Sequence, residues 1–220
     1  RSAFILFGAL ALAAGCSNAP APPVPIEPAA APHPMPSEAT VDPGTKGDLS
    51  PAQGRARRRM NIDQLDAAIR RATGGLGWDV NGQSQFTRFG PSLGKPDFQQ
   101  RTREVLEPSP IFQKFLDDAA RAVCSQLVVA ERGRAQADRV LFVTVPAGQP
   151  NPKGVTAQMV DDNLRAVLLR FHGHKLEANA AELSSWRWLQ QSALTVSGDA
   201  EKAWQTVCVG LITHPDFYSY

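Results

Sequence analysis

The side chains best suited to bond-making chemistry in this chain are its histidines and cysteines. His172-Gly173-His174 sets two imidazoles one residue apart, and His214 offers a third neutral nitrogen. Such a set can converge on a divalent cation. No cysteine or carboxylate stands at a supporting spacing beside the pair. Gly173 also has the place of a helix-stop residue, and histidines in a last helical turn interact favourably with the helix dipole. The helix-end reading is preferred. No metal or other cofactor is assigned, and His172, His174 and His214 are the residues that would carry one. Covalent attachment of a c-type haem needs Cys-x-x-Cys-His. Cys124 and Cys208 are far apart and neither precedes a histidine, which excludes it. A non-covalent haem on His172 or Met159 stands as an alternative to placing Met159 in a buried helical stripe.

Other chemistries find less support. There is no Gly-x-Ser-x-Gly elbow to expose a nucleophilic serine. Asp117-Asp118 and Asp161-Asp162 are adjacent acidic pairs, but neighbours on a helix point about 100° apart, so spacing alone gives neither pair a shared site. No glycine-rich phosphate loop precedes a helix. Trp78 and Trp188 are the candidate partner-binding residues: Trp78 lies in a Gly/Asn-rich loop, and Trp188 falls off the face that Trp186 defines. Tryptophan is enriched among interface hot spots. Own catalysis is therefore not expected.

Composition sets the frame for these side chains. The chain has 220 residues, 43% of them hydrophobic, and a formal net charge of +2. That is enough apolar content for a real core in one or two domains. Nearly balanced charge argues against a nucleic-acid binder, whose domain would be strongly basic.

Helices are the expected scaffold: an all-α, irregular bundle of five to six helices with long connecting loops over residues 60–220. Ile62, Leu65, Ile69 and Ala72 recur at helical spacing behind an Asn61/Gln64 capping box, and Gly74-Gly75 stops that helix. Leu76 to Gly94 reads as a long loop pinned by Trp78, Phe86 and Phe89. A short helix is expected from Pro96 to Leu106. Ser109-Pro110 opens the strongest helix, with Ile111, Phe112, Phe115, Leu116, Ala119, Val123 and Leu127 on one stripe and Cys124 beside it. Arg139 to Pro146 has strand-like composition but no partner, so an extended loop buried against helices is preferred. Thr156 caps the next helix, whose stripe runs from Met159 to Phe171. Asn179 and Glu182 suggest a capping box for a helix bearing Leu183, Trp186, Leu189 and Leu194. Trp204, Val207, Cys208, Leu211 and Ile212 mark the last one. Cys124 and Cys208, on separate inward stripes, are expected to form a disulfide.

The N-terminal part differs in kind. Ala3 to Ala14 is apolar or small throughout and ends in Leu12-Ala13-Ala14-Gly15-Cys16. About 12 apolar residues are too few to span a bilayer. The run resembles a bacterial lipoprotein signal, in which a lipobox precedes the cysteine that is lipidated. Ala13 stands where leucine is commoner, and the basic stretch ahead of the run is expected to be truncated at Arg1. The resemblance implies a signal peptide at 1–15, an acyl (palmitate-class) anchor on Cys16, and a membrane-tethered protein facing the periplasm or cell surface. Ser17, where aspartate would resemble an inner-membrane retention signal, points to the outer membrane. Residues 16–59 then form a linker holding ten of the 18 prolines. Such composition buries too little apolar area to repay ordering. Arg55, Arg57, Arg58 and Arg59 at its end read as a solvated charge run rather than a lipid-headgroup patch.

Leu93-Gly94-Lys95-Pro96-Asp97-Phe98, Glu107-Pro108-Ser109-Pro110 and Ala203-Trp204 through Cys208 to His214-Pro215-Asp216-Phe217 resemble helical modules of unknown activity. Those modules occur in exported bacterial proteins associated with c-type cytochrome domains. The resemblance implies a helical envelope protein working beside a redox or hydrolase-like partner, and it transfers no catalytic residue. The expected function is that of a lipid-anchored helical binding or scaffold protein with an envelope protein partner. The alternative is an accessory to periplasmic redox or metal chemistry through His172, His174 and His214.

Overall fold

In the computed structural model the described residues are 58–96 and 106–220, all within the second of the chain's two compact units, Gln53–Tyr220. Cys16, the signal segment, the linker as far as Arg57, and most of the helix expected over 96–106 lie outside the described residues.

The architecture is all-α with connecting loops. Helix α1 (Ile62–Thr73) begins where the side chain of Asn61 accepts the Gln64 amide at 2.8 Å and Gln64 reciprocates at 3.1 Å. It ends at Gly74, whose φ of 72° is the left-handed conformation that favours glycine. The next segment corrects the expectation of a long loop. A two-residue hairpin pairs β1 (Asp79–Val80) with β2 (Gln83–Ser84), followed by helix α2 (Gln85–Phe89) and a 3-10 turn, Gly90–Leu93. Asn81-Gly82, with φ of 51° and 75°, supplies the two positive values that a tight hairpin turn requires. Asp79 is gripped by both terminal nitrogens of Arg70, at 3.1 and 2.8 Å.

Helix α3 (Pro110–Glu131), capped by Ser109, runs through the core with Phe112, Leu116, Ala119, Val123, Cys124 and Leu127 buried. Ile111, expected on that stripe, is 67% exposed, whereas Phe112, about 100° further round the same turn, is 1% exposed and defines the buried face. Helices α4 (Ala157–His172), α5 (Glu182–Ser197) and α6 (Ala200–Thr213) follow, and the four-residue α7 (Pro215–Tyr218) closes the described fold. Helix α6 packs between α3 and α5. The five long helices are those the periodicity predicts; α2 and α7 are single-turn additions.

Cys124 on α3 and Cys208 on α6 form a disulfide, with Cα atoms 5.9 Å apart, inside the range that bridging requires. Residues 139–146 are buried against the helices, as expected, but the segment is not extended: it bends at each residue from Val140 to Val145. Four of the segment's amides, those of Val140, Leu141, Phe142 and Thr144, are satisfied by side chains. Glu131 accepts the N–H groups of Val140, Leu141 and Phe142 at 2.6 to 3.1 Å. Asn163 on α4 accepts from the Thr144 amide at 3.0 Å and donates to the Leu141 carbonyl at 2.8 Å. Glu201 accepts the Gly148 amide and the Arg132 guanidinium.

The basic run also needs correction at one residue. Arg59 is 1% exposed. It donates to the carbonyls of Leu93 at 2.7 Å and Met60 at 2.9 Å, and its guanidinium lies 4.6 Å from the Phe112 ring centre. A planar cation can be buried when carbonyls and an aromatic face replace its water. Arg58 and Met60 add backbone bonds to Tyr220 and Tyr218.

Candidate functional site

Four helix ends converge on the histidines. His172 is the last residue of α4, and Gly173, with φ of 72°, turns the chain so that His174 comes back beside it. Their ring centres are 5.8 Å apart. His214 joins α6 to α7, and its ring stacks on His172 at 5.1 Å. Trp186 on α5 packs against both rings, at 5.7 and 5.8 Å. Gly210 allows this crossing, since a Cβ there would lie 3.1 Å from Leu189 and 3.4 Å from Trp186. All three histidines singled out in the sequence are thus brought together.

Two carboxylates join them. Glu182 at the start of α5 has Oε1 3.1 Å from Nδ1 of His174. The capping box expected from Asn179 and Glu182 is not formed: α5 starts two residues later than that box requires, its N-cap is Ala181, which has no side-chain acceptor, and the Glu182 carboxylate faces the histidine instead. Asp216 in α7 has Oδ2 3.5 Å from Nδ1 of His214 and 4.0 Å from Nε2 of His174. The His172, His214 and Asp216 ligand atoms lie within 4.8 Å of one another, as do those of His174, Glu182 and Asp216. Asp216 escapes a search by local spacing around residues 172–174. The signal that could have found it is His214-Pro215-Asp216, where the Asp216 amide donates to His214 Nδ1 at 3.2 Å.

The protonation states follow from the surroundings. Burial holds the His172 pKa below the usual histidine value, helped by His214 and His174 and opposed by the Leu211 carbonyl and Asp216. His172 Nε2 is 2.9 Å from that carbonyl. A carbonyl only accepts, so Nε2 carries the hydrogen and Nδ1 keeps the lone pair. Met159 opens α4 and His172 ends it, about 20 Å away at 1.5 Å per residue. The two cannot flank one haem.

Beside the cluster lies an open groove of about 740 Å³, lined by Glu182, Ser185, Trp186, Trp188, Leu189 and His214 among others. Trp188 is 70% exposed, the most exposed aromatic side chain among the described residues. Trp78 differs: it is half-buried, stacked on Phe89 at 6.3 Å and packed on Phe86 and Phe115 at 6.5 and 5.3 Å. Its ring packs against α2 and α3, so of the two candidate tryptophans Trp188 is the more exposed. Compared with known proteins, the chain matches no family model, no curated protein and no solved structure.

Proposed function

We propose that this chain is a lipid-anchored helical binding protein of the cell envelope, without catalysis of its own, whose partner face is centred on Trp188. The observation that carries the reading is the indole of Trp188 standing 70% exposed at the rim of an open groove. An exposed tryptophan beside a groove with an apolar floor is the form of an interface anchor, where a rigid aromatic contributes much contact area at little entropy cost. Glu182, Ser184 and Ser185 give that groove a polar rim, the usual surround of such an anchor. The apolar run ending at Cys16 and the proline-rich stretch after it support tethering at a membrane. Ser17 favours the outer one.

The test is site-specific photo-crosslinking in the native envelope. A crosslinking residue replacing Trp188 is expected to trap a discrete protein species. The same residue replacing Val196, 89% exposed on the same helix, is expected to trap none. Equal crosslinking at both positions, or none at Trp188, rejects the reading.

A further inference from the structure

We propose that His174, His214 and Asp216, completed by His172, bind one divalent first-row transition ion, with Glu182 holding His174 in its ligating orientation. The inference stands apart from the partner reading.

Distances supply the first argument. Metal bonds of about 2.0–2.1 Å in a tetrahedron set ligand atoms roughly 3.3–3.4 Å apart. Asp216 Oδ2 is the shared vertex, 3.5 Å from His214 Nδ1 and 4.0 Å from His174 Nε2. Closing the set brings His174, whose ligand atoms group with Glu182 and Asp216, toward the other two histidines. His172, His214 and Asp216 already have their ligand atoms within 4.8 Å of one another.

The outer partners supply the second. Metal-bound histidines commonly donate their other N–H to a carboxylate or a backbone carbonyl, which fixes tautomer and orientation. His174 has this arrangement: Nδ1 faces Glu182 at 3.1 Å, leaving the Nε2 lone pair toward Asp216. His172 has it too, with Nε2–H given to the Leu211 carbonyl. His214 must exchange a partner, since Nδ1 accepts the Asp216 amide, and the ion would take the place of that hydrogen. The frame is stiff where it matters, because Trp186 packs on two of the rings and the Cys124–Cys208 bridge ties α6 to α3. Imidazoles with one carboxylate suit zinc, nickel or copper better than magnesium or calcium, which prefer all-oxygen shells. His214 and Glu182 also line the groove, so an ion could enter from solvent.

The experiment is calorimetric titration of tag-free, chelator-treated full chain with Zn²⁺, and visible absorption with Co²⁺. One ion per chain is expected. His174→Gln and Asp216→Asn are each expected to weaken binding by at least ~10-fold, and Glu182→Gln by roughly 10–100-fold, as for an orienting partner. Asp216→Asn should also abolish the visible bands of the cobalt form. His33, the chain's fourth histidine, is the control, and His33→Gln should change nothing. Far-UV circular dichroism and the closed disulfide confirm that a variant is folded. If a buried-side variant fails that check, Glu182→Gln, with a half-exposed side chain, decides alone. Absence of binding, or binding that survives the substitutions in the cluster, or that falls with His33→Gln, overturns the proposal.

Discussion

Glu131 ties the end of α3 to the segment that follows it. Its carboxylate is fully buried and accepts three consecutive amides of the segment that follows. Glu131→Ala would strand those N–H groups away from water, at about 1–3 kcal/mol for a buried donor left unsatisfied. Partial relaxation of the segment limits the sum, so a loss of roughly 3–4 kcal/mol is expected, at the upper end for one substitution. Urea unfolding would measure it; a loss below ~1 kcal/mol would mean that the segment finds other acceptors. This residue also shows where the sequence is hard to read. Apolar periodicity and capping chemistry act within a few residues, so the Asn61/Gln64 box, Ser109, Thr156 and the stops at Gly74 and Gly173 were legible. Glu131, Asn163 and Arg59 satisfy partners nine to 34 positions away. A polar residue with a distant partner looks, in one dimension, like a solvated one. The histidines were legible as residue types, and Asp216 is a local neighbour of His214, whereas Glu182 came beside His174, and Asp216 near it, only through the packing of α5 and α7.

At the scale of elements, the bundle depends on how α3 and α6 are joined. The Cys124–Cys208 bridge closes a loop across a sequence separation of 84. In the chain-entropy model such a loop contributes roughly 4–5 kcal/mol by restricting the unfolded chain. Reduction is therefore expected to lower the melting temperature by about 10–15 °C, at ~2–4 °C per kcal/mol for a domain of this size. Thermal unfolding with and without reductant checks this, and thiol titration of the denatured, unreduced protein should find neither cysteine free. The expectation from sequence rested on two inward-facing stripes and needed α3 and α6 to be adjacent. Periodicity specifies which face is buried but not which helix covers it, so that adjacency was an assumption. The hairpin at residues 79–84 was hidden for the opposite reason: its strands are too short to alternate, and only Asn81-Gly82 announced it.

At the scale of the whole molecule, the proposed anchor is tested at Cys16. Labelled fatty acid is expected on the wild-type chain and absent from Cys16→Ala, which should also retain its signal segment; an unlabelled wild-type chain would end the lipoprotein reading. Tethering gives a further meaning to the backbone bonds where the described fold begins. Arg58 and Tyr220 exchange two N–H···O bonds, at 3.1 and 3.0 Å, and Met60 adds another to Tyr218. In a chain held at a membrane through its N-terminal segment, drag on the domain is transmitted along the polypeptide and arrives at Arg58. Among the described residues it meets that short ladder, and the buried Arg59 within it, before it meets α1. Unzipping that ladder would release slack while the Asn61 cap keeps α1 wound. Because the ladder joins Arg58 and Met60 to Tyr220 and Tyr218, a load arriving there is shared between the two ends of the described fold.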